Sequence, residues 1–525
     1  MVDKLADKKN IIALLVLFFI ISFIPKLIRF NDPYFGIIIQ RSMETISGIE
    51  GFVHEGINFS KARVNIAGWP GYIFLECPIF QALAAWISQF THNAFLTTKV
   101  LNLIFGGLSA FLVFVLAYRW FNLNIAFYSF IFFVFNPLNI TYHKSLQVDV
   151  CAVFLALSAH VALLCWVENR RRVWLAIFTL AALLCVLIKP LFLFPMLCTL
   201  GLILKKKIRI FKVSQVVNAL RKYIEIVLCL FIVAVILFMW IQSKPQMLSE
   251  LGLGSLINPK YYILLVARFL KRIVTPFELL LFMVGAAWIW RNYRKKNQIQ
   301  ILFVPVLYYL VFSNNYGHSY YSLILIPYFS IISGCGASWV ENAVLKDGLI
   351  KSQFYTKLLV CSLVAVTTAL IYYLTLTSFM LTPNTLYKEI ARDVTPHLDP
   401  VQYSIVYLNE EHQWPLSDRL RYRTEVVFKS FLHDLSGDDV SKINRYSPVH
   451  YSAFMYALKQ YGEVRPIKDI ESVSINNDMA TYHGQLRYVM FYLFDNKQKI
   501  ISRMKPYSIT YQSDLWIVYD LKPKG

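Results

Sequence analysis

The chain has 525 residues, of which 57% are hydrophobic and only 16% are charged, and its mean hydropathy is +0.51. Soluble proteins carry about 25% charged residues, so this composition excludes an ordinary soluble enzyme and predicts a polytopic membrane protein. The formal net charge is +21, but residues 380–525 hold 18 basic and 17 acidic side chains, which places the basic excess in residues 1–379. Basic membrane loops indicate topology and lipid contact, so we predict no nucleic-acid partner.

Eleven apolar runs follow one another, and each predicts a membrane-spanning helix. They lie near residues 11–28, 95–118, 124–142, 150–167, 173–188, 190–204, 224–242, 274–290, 299–313, 319–339 and 357–379. Residues 173–204 and 299–339 are each flanked by basic clusters at both ends, which predicts hairpins with cytoplasmic ends. With a cytoplasmic N-terminus, eleven spans predict a multi-pass protein of the cell (inner) membrane whose C-terminal region is extracytoplasmic.

Two domains are predicted from this pattern. Residues 1–379 form a transmembrane domain with a long first outer loop at 28–93, and residues 380–525 form an extracytoplasmic α/β domain. In the second domain, a helical pattern covers 450–461, and the β-like runs are Tyr403–Leu408, Arg487–Leu493, Ile509–Tyr511 and Leu515–Tyr519. This domain has no Gly-rich phosphate loop, Cys/His metal cluster or nucleophile elbow, so we expect the chemistry in the transmembrane domain.

The first outer loop carries the candidate catalytic carboxylates Asp32, Glu44 and Glu76. Acids so close to a bilayer are costly to desolvate, and they indicate chemistry at the membrane surface. Glu76 lies in an apolar stretch, where a carboxylate is a candidate for acid–base catalysis. The structural alternative is that Glu76 caps an amphipathic helix that lies on the membrane surface.

Two further candidates lie between spans. Asp149 directly precedes an apolar run, where it either caps a helix N-terminus or presents a catalytic carboxylate. Lys189, followed by Pro190, lies at a predicted outer turn, where it either extends its ammonium group to the interface or pairs with a lipid phosphate.

Two clusters of possible substrate-binding residues lie further along. Arg268, Lys271 and Arg272 share one helical face, which is either a solvated surface or a contact with an anionic partner. His318 precedes Tyr320 and Tyr321, and this segment is either a hairpin turn with interfacial tyrosines or part of the outer cavity that holds the acids.

Several motifs together resemble the GT-C class of membrane glycosyltransferases. They are most similar to the bacterial branch related to protein O-mannosyltransferases and the lipid A aminoarabinose transferase (glycosyltransferase family 39-like). Gly56-Ile-Asn-Phe, Pro70-Gly-Tyr and Glu76-Cys-Pro-Ile-Phe-Gln are similar to that branch's "G-x-N-F … P-G-Y … E-F-P-L-Y" loop. Gln147-Val-Asp149 is similar to its second acidic motif, and His318-Ser-Tyr-Tyr with Pro327 to its "H-x-Y-Y … P" hairpin.

The sequence also departs from that branch. The usual Asp-Glu pair after the first span is missing, because Asp32-Pro33 stands there alone. The segment from Gln40 to Thr45, with Arg41 and Glu44, is similar to the branch's "R-x-T-x-T" segment. This similarity favours Glu44 as the catalytic carboxylate.

The resemblance implies a GT-C-like helical fold that moves a hexose or pentose from a polyprenyl-phosphate donor. The acceptor would be a glycolipid, a polysaccharide or a protein at the outer face. The resemblance implies a carboxylate general base, and it leaves Glu44, Asp32 and Glu76 open for that role. It further implies that Lys189, Arg268 or Arg272 offsets the charge of the leaving phosphate, and that Glu76 and His318 hold a divalent metal.

Three other functions are open at this point: a lipid-linked sugar flippase or transporter, an oligosaccharide polymerase, and a non-catalytic envelope scaffold. A transporter predicts ionisable residues near the midplane and broken helices in paired halves. Here the charges gather at the predicted outer face, and His160 is the main polar exception within a span.

Overall fold

The computed structural model describes residues 2–28, 30, 39–59, 76–207, 213–242, 262, 265, 275–294, 297–312, 319–347, 352–379, 396, 403–409, 461–467, 486–492, 504, 508–512 and 516–521. The chain divides into two compact units. The helical unit comprises Met1–Phe30, Lys99–Lys144 and Val148–Tyr372, and the second unit comprises Asn31–Thr98, Ser145–Gln147 and Tyr373–Gly525.

Fifteen helices are formed by the described residues, and short 3₁₀ turns cover Pro190–Leu193, Asn297–Ile299 and Ser319–Leu325. The helices are α1 (Val2–Ile21), α2 (Phe23–Leu27), α3 (Ile39–Glu55), α4 (Ile79–Thr91), α5 (Ala94–Trp120), α6 (Leu123–Phe135), α7 (Pro137–His143), α8 (Asp149–Asn169), α9 (Arg172–Ile188), α10 (Phe194–Lys207), α11 (Val213–Gln242), α12 (Pro276–Tyr293), α13 (Gln300–Val311), α14 (Ile326–Lys346) and α15 (Gln353–Phe379).

Each apolar run that the sequence marked as a span overlaps at least one of these helices. Among the described residues, five helices are long and apolar enough to cross a membrane, or six if the bent pair α6–α7 counts as one span. Large apolar side chains such as Phe111 and Val366 are exposed on them, as expected for faces that meet lipid. The predicted helical, multi-span fold is thus confirmed, while the count of eleven spans and the orientation stay predictions.

Close packing of α14 against α6 and α12 forms the centre of the helical unit. A Cβ atom on Gly285 would lie 1.9 Å from the carbonyl oxygen of Ile332, and one on Gly336 would lie 1.9 Å from that of Leu281. Gly334 approaches the backbone of α6 in a similar way. Glycines let helix backbones approach this closely, which favours association where the hydrophobic effect between helices is weak.

The predicted span at 124–142 is not one straight helix. The axes of α6 and α7 differ in direction by 58°. Pro137 has no backbone N–H, and Asn136 accepts hydrogen bonds from Leu138 N (3.1 Å) and Asn139 N (3.3 Å) at the start of α7. The Asn139 side chain donates to the carbonyl oxygen of Phe133 (2.9 Å), so the polar groups freed at the bend find partners.

A five-stranded mixed sheet lies in the C-terminal part of the second unit. Its strands are β1 (Tyr403–Asn409), β2 (Tyr461–Ile467), β3 (Leu486–Tyr492), β4 (Ser508–Gln512) and β5 (Trp516–Asp520), in the spatial order β2-β1-β3-β5-β4. β1 runs parallel to β2 and β3, and β5 runs antiparallel to β3 and β4. Val489, Met490 and Val518 are fully buried in it.

Four strands coincide with the predicted β-like runs, while β2 was not foreseen. The helical pattern predicted over 450–461 lies outside the described residues except for Tyr461, which begins β2. The domain boundary at 379/380 and the extracytoplasmic placement of this region stay predictions.

Candidate active site

Arg41 and two carboxylates form a charged cluster in the second unit. Arg41 Nη1 donates to Glu44 Oε2 (3.1 Å), and Arg41 Nη2 forms a close ion pair with Glu76 Oε2. Gln81 Nε2 donates to the other oxygen of Glu76 (3.1 Å). Two of the carboxylates named from the sequence therefore lie together, 32 residues apart in the chain, on one guanidinium group.

Two helices position this cluster. One turn of α3 separates Arg41 from Glu44, which places both on one face of the helix, while Met43 and Ile46 are fully buried. Glu76 lies in the turn before α4, and Gln81 is in the first turn of that helix, where Phe80 is also buried. Contacts between α3 and α4 thus hold the two acids at a fixed separation.

The predicted alternative of a helix cap does not describe Glu76. The N-cap residue of α4 is Pro78, and no side chain caps that helix. Instead, the Glu76 side chain is 4% exposed and is ion-paired with Arg41, whereas the Glu44 side chain is 10% exposed. One guanidinium therefore joins two carboxylates, and a carboxylate can accept a proton from a bound hydroxyl.

Asp149 and Lys189 form a second charged cluster, in the helical unit. Asp149 is the first residue of α8 and 1% exposed, and its Oδ1 lies 3.6 Å from Lys189 Nζ. Lys189 stands between α9 and the 3₁₀ turn at Pro190–Leu193, so the predicted break at this lysine is confirmed. The N-cap of α8 is Val148, so the Asp149 side chain meets the lysine and does not cap the helix.

Two tyrosine rings complete the surroundings of Lys189. Its Nζ lies 4.6 Å from the ring centroid of Tyr320 and 5.4 Å from that of Tyr321. Aromatic faces stabilise an ammonium group without neutralising it. The cluster therefore holds a cation between one carboxylate and two rings.

Four of the predicted site residues lie outside the described residues: Asp32, Arg268, Arg272 and His318. Their roles stay predictions. Lys271, which was predicted to share a helical face with the two arginines, lies outside as well.

The predicted metal pair of Glu76 and His318 also stays a prediction. No group of three or more His, Cys, Asp or Glu side chains within the described part of the chain could hold a metal ion. Both oxygens of Glu76 accept hydrogen bonds, from Arg41 and from Gln81.

Gln81 is the site residue that the sequence reasoning missed. Its Oε1 is buried and has no hydrogen-bond partner among the described residues, so only its amide nitrogen is used, by Glu76. The signal was present in the sequence, because Gln81 follows Glu76 by five residues and interrupts the apolar face of α4.

No protein-family model matches the chain, and no curated protein sequence matches it. Solved structures do. ArnT from Cupriavidus metallidurans in the apo state superposes with a TM-score of 0.55 at 11% identity, covering 97% of this chain and 98% of ArnT. ArnT bound to undecaprenyl phosphate gives a TM-score of 0.53 at 11% identity, covering 97% of each chain.

An archaeal protein shares the fold as well. The oligosaccharyltransferase AglB from Archaeoglobus fulgidus, in complex with an inhibitory peptide and a dolichol-phosphate, gives a TM-score of 0.50 at 12% identity, covering 93% of this chain and 70% of AglB. Sequence identities this low indicate a shared fold but not a shared substrate. ArnT and AglB have the GT-C fold, so the chain has the fold of the GT-C class of membrane glycosyltransferases, as the resemblance of its motifs implied.

Proposed function

We propose that this chain is an integral membrane glycosyltransferase that moves a sugar from a polyprenyl-phosphate carrier to a cell-envelope acceptor at the extracytoplasmic face. The observation that carries the proposal is the agreement in fold with ArnT over 97% of the chain. ArnT was solved with undecaprenyl phosphate and AglB with a dolichol-phosphate, so both neighbours hold a polyprenyl-type phosphate.

Glu44 is the carboxylate that we assign as general base. Glu76 is the more deeply buried acid, and Arg41 and Gln81 engage both of its oxygens. Glu44 is more accessible, and one of its oxygens accepts from Arg41 at 3.1 Å. In this assignment Glu76 fixes Arg41, and Arg41 in turn orients Glu44 towards the acceptor.

The transfer step balances with these roles. The acceptor oxygen attacks the anomeric carbon of the sugar and loses its proton to the Glu44 carboxylate. The bond from that carbon to the phosphate oxygen breaks, and polyprenyl phosphate leaves with the electron pair. In the helical unit, Asp149 and the two tyrosine rings hold the Lys189 ammonium group in place, where the sequence predicts that it binds the carrier phosphate.

Two substitutions on helix α3 test whether Glu44 is the general base. Membranes that contain the full-length chain and supply the acceptors are given undecaprenyl phosphate carrying radiolabelled hexoses or 4-amino-4-deoxyarabinose, and labelled product and released undecaprenyl phosphate are measured. Glu44→Gln should lower transfer by about 10²- to 10⁴-fold, the usual contribution of a general base. Glu55→Gln, an exposed change at the end of the same helix, should leave transfer unchanged.

Full transfer by Glu44→Gln would remove Glu44 as the base. The flippase alternative is separated by the wild-type protein in liposomes. Movement of labelled carrier-linked sugar between leaflets, with no release of undecaprenyl phosphate in the presence of acceptor membranes, would contradict the transferase proposal itself.

A further inference from the structure

Helix α4 exposes an apolar face that the proposed mechanism does not use. Leu83, Trp86 and Phe90 are 37%, 53% and 70% exposed, and the rings of Trp86 and Phe90 pack edge to face with their centroids 5.6 Å apart. The sequence of α4, from Ile79 to Thr91, contains no charged side chain. An exposed apolar patch of this kind marks a surface that meets a membrane or another protein.

The two faces of α4 have different environments. Spacings of three, four and seven residues place Leu83, Trp86 and Phe90 on one face of the helix. At 3.6 residues per turn, Gln81 lies on the opposite face, where it is buried and donates to Glu76. The helix therefore connects the carboxylate cluster on one side with an uncovered apolar surface on the other.

The chain enters a membrane span directly after α4. His92 ends the helix in the left-handed conformation, and Asn93 begins α5 by accepting a hydrogen bond from Leu96 N (2.8 Å). A hydrogen bond between the hydroxyls of Thr91 and Thr97 (2.6 Å) fixes the corner between the two helices. Helix α5 is long and apolar enough to cross a membrane, and Leu96 in its first turn is 40% exposed. The apolar face of α4 therefore ends beside the point at which the chain enters lipid.

The length of α4 determines how it can meet a bilayer. Its 13 residues extend over about 20 Å, which is too short to cross a hydrocarbon core of about 30 Å. Its apolar face runs along its side and includes a tryptophan, a residue that is enriched where lipid chains meet headgroups. A short helix with this pattern lies in the plane of the membrane surface.

We infer that α4 lies in the surface of the lipid bilayer, with Leu83, Trp86 and Phe90 inserted among the lipid chains. The lipid then holds Gln81, and with it the carboxylate cluster, at a fixed depth relative to the membrane. The inference goes beyond the proposed function, because contact with a bilayer requires no sugar transfer.

Spin labels on α4 test the contact. The full-length protein is reconstituted in vesicles of phosphatidylcholine and phosphatidylglycerol that contain no polyprenyl lipid. Its half-buried cysteines, Cys77, Cys198 and Cys229, are replaced by alanine, and its other five cysteines are buried. A nitroxide is attached at Leu83→Cys or Phe90→Cys, and its collisions with oxygen, which concentrates in lipid, are compared with its collisions with a water-soluble nickel chelate. Both labels should collide more with oxygen than with the chelate.

Controls separate lipid contact from simple exposure. A label at Glu55→Cys, at the exposed end of α3, should collide more with the nickel chelate. In the protein labelled at Leu83→Cys, the further change Phe90→Asp should move the label towards water, whereas Phe90→Leu should leave it in lipid. Loss of one buried phenyl group shifts the balance between inserted and detached helix by about 10- to 100-fold.

A second measurement uses the unsubstituted protein, so the inference can be tested even if a labelled variant does not fold. Phosphatidylcholine that carries a diazirine on its acyl chain should crosslink to residues 79–91 on illumination. Labels at both positions that meet the nickel chelate as often as the label at Glu55→Cys would overturn the inference, because α4 would then face water. Labels shielded from both reagents would overturn it as well, because a protein surface, such as a second copy of the chain, would then cover this face.

Discussion

Replacement of Arg41 by glutamine tests whether the carboxylate cluster depends on this one cation. The change leaves the Glu76 side chain, only 4% exposed, without its guanidinium partner but with its bond to Gln81. Removing one partner of a buried ion pair typically costs 3–5 kcal/mol, because an uncompensated charge stays in a medium of low dielectric constant. Arg41 is itself 20% exposed, so we expect the lower end, a loss of about 3 kcal/mol in the free energy of unfolding.

A double-mutant cycle isolates the interaction with Glu76. The neutral pair Arg41→Gln with Glu76→Gln should recover most of the loss, giving a coupling of about 2 kcal/mol. The equivalent cycle with Glu44 should give about 0.5–1 kcal/mol, because the Glu44 side chain is more exposed and its pair with Arg41 spans a single helical turn. Unfolding would be followed by tryptophan fluorescence while SDS is titrated into the protein in mixed micelles.

Two results of these measurements would contradict the proposed ion pair between Arg41 and Glu76. A coupling to Glu44 as large as the coupling to Glu76, or a loss below about 1 kcal/mol in Arg41→Gln, would mean that Glu76 is not held by Arg41 in the way described. Transfer activity is the second readout. The double variant should be stable yet inactive if Arg41 orients the base, whereas full activity would show that the cluster serves stability alone.

Three further predictions concern the helical unit. Asp149→Asn should lower sugar transfer about tenfold, measured as release of undecaprenyl phosphate, because Lys189 loses the carboxylate that holds it; unchanged release would exclude this positioning role. Tyr320→Leu should lower transfer about two- to fivefold through a loss of roughly 0.5–1 kcal/mol of cation–π stabilisation, and an effect as large as that of Asp149→Asn would contradict the ranking. Gly336→Val should destabilise the protein by about 3 kcal/mol or more in the SDS titration, since its Cβ would meet a carbonyl oxygen at 1.9 Å. The control Gly201→Val has open space around it and should be near neutral.

The helices of the membrane part could be predicted because apolar length is a direct signal. The break at Lys189 was also visible, since a charge followed by proline ends a helix in an apolar run. The 58° bend between α6 and α7 was not predicted, because Asn136-Pro137 lies in a run whose hydropathy stays high throughout. Hydropathy averages over a window, whereas a bend depends on one missing N–H and the side chains that replace it.

The sequence identified most residues of the candidate site, but it did not show which of them contact each other. Arg41, Glu44 and Glu76 were each named from the sequence, but nothing in the spacing shows that one guanidinium joins acids on two elements. Each of Lys26, Lys99 and Lys144 resembles an ordinary basic residue at the end of a span, and only the fold shows that its side chain is buried.

The position of the charges within the helices distinguishes a transferase from a transporter. In the described helices of the helical unit, formal charges lie within about two turns of the ends of the apolar stretches, as with Asp149 at the start of α8 and the buried pair of Glu341 and Lys357 near facing ends of α14 and α15. Near the middle of α8, His160 forms a hydrogen bond with Tyr328 (2.9 Å), which is a polar contact without a carboxylate partner. A transporter needs ionisable groups at that depth to carry its substrate, whereas a transferase with a lipid-linked donor needs them at the membrane surface. His160→Phe should therefore leave sugar transfer within twofold of wild type. The transporter would be favoured if the wild type showed no sugar transfer and this variant lost most of its transport of carrier-linked sugar.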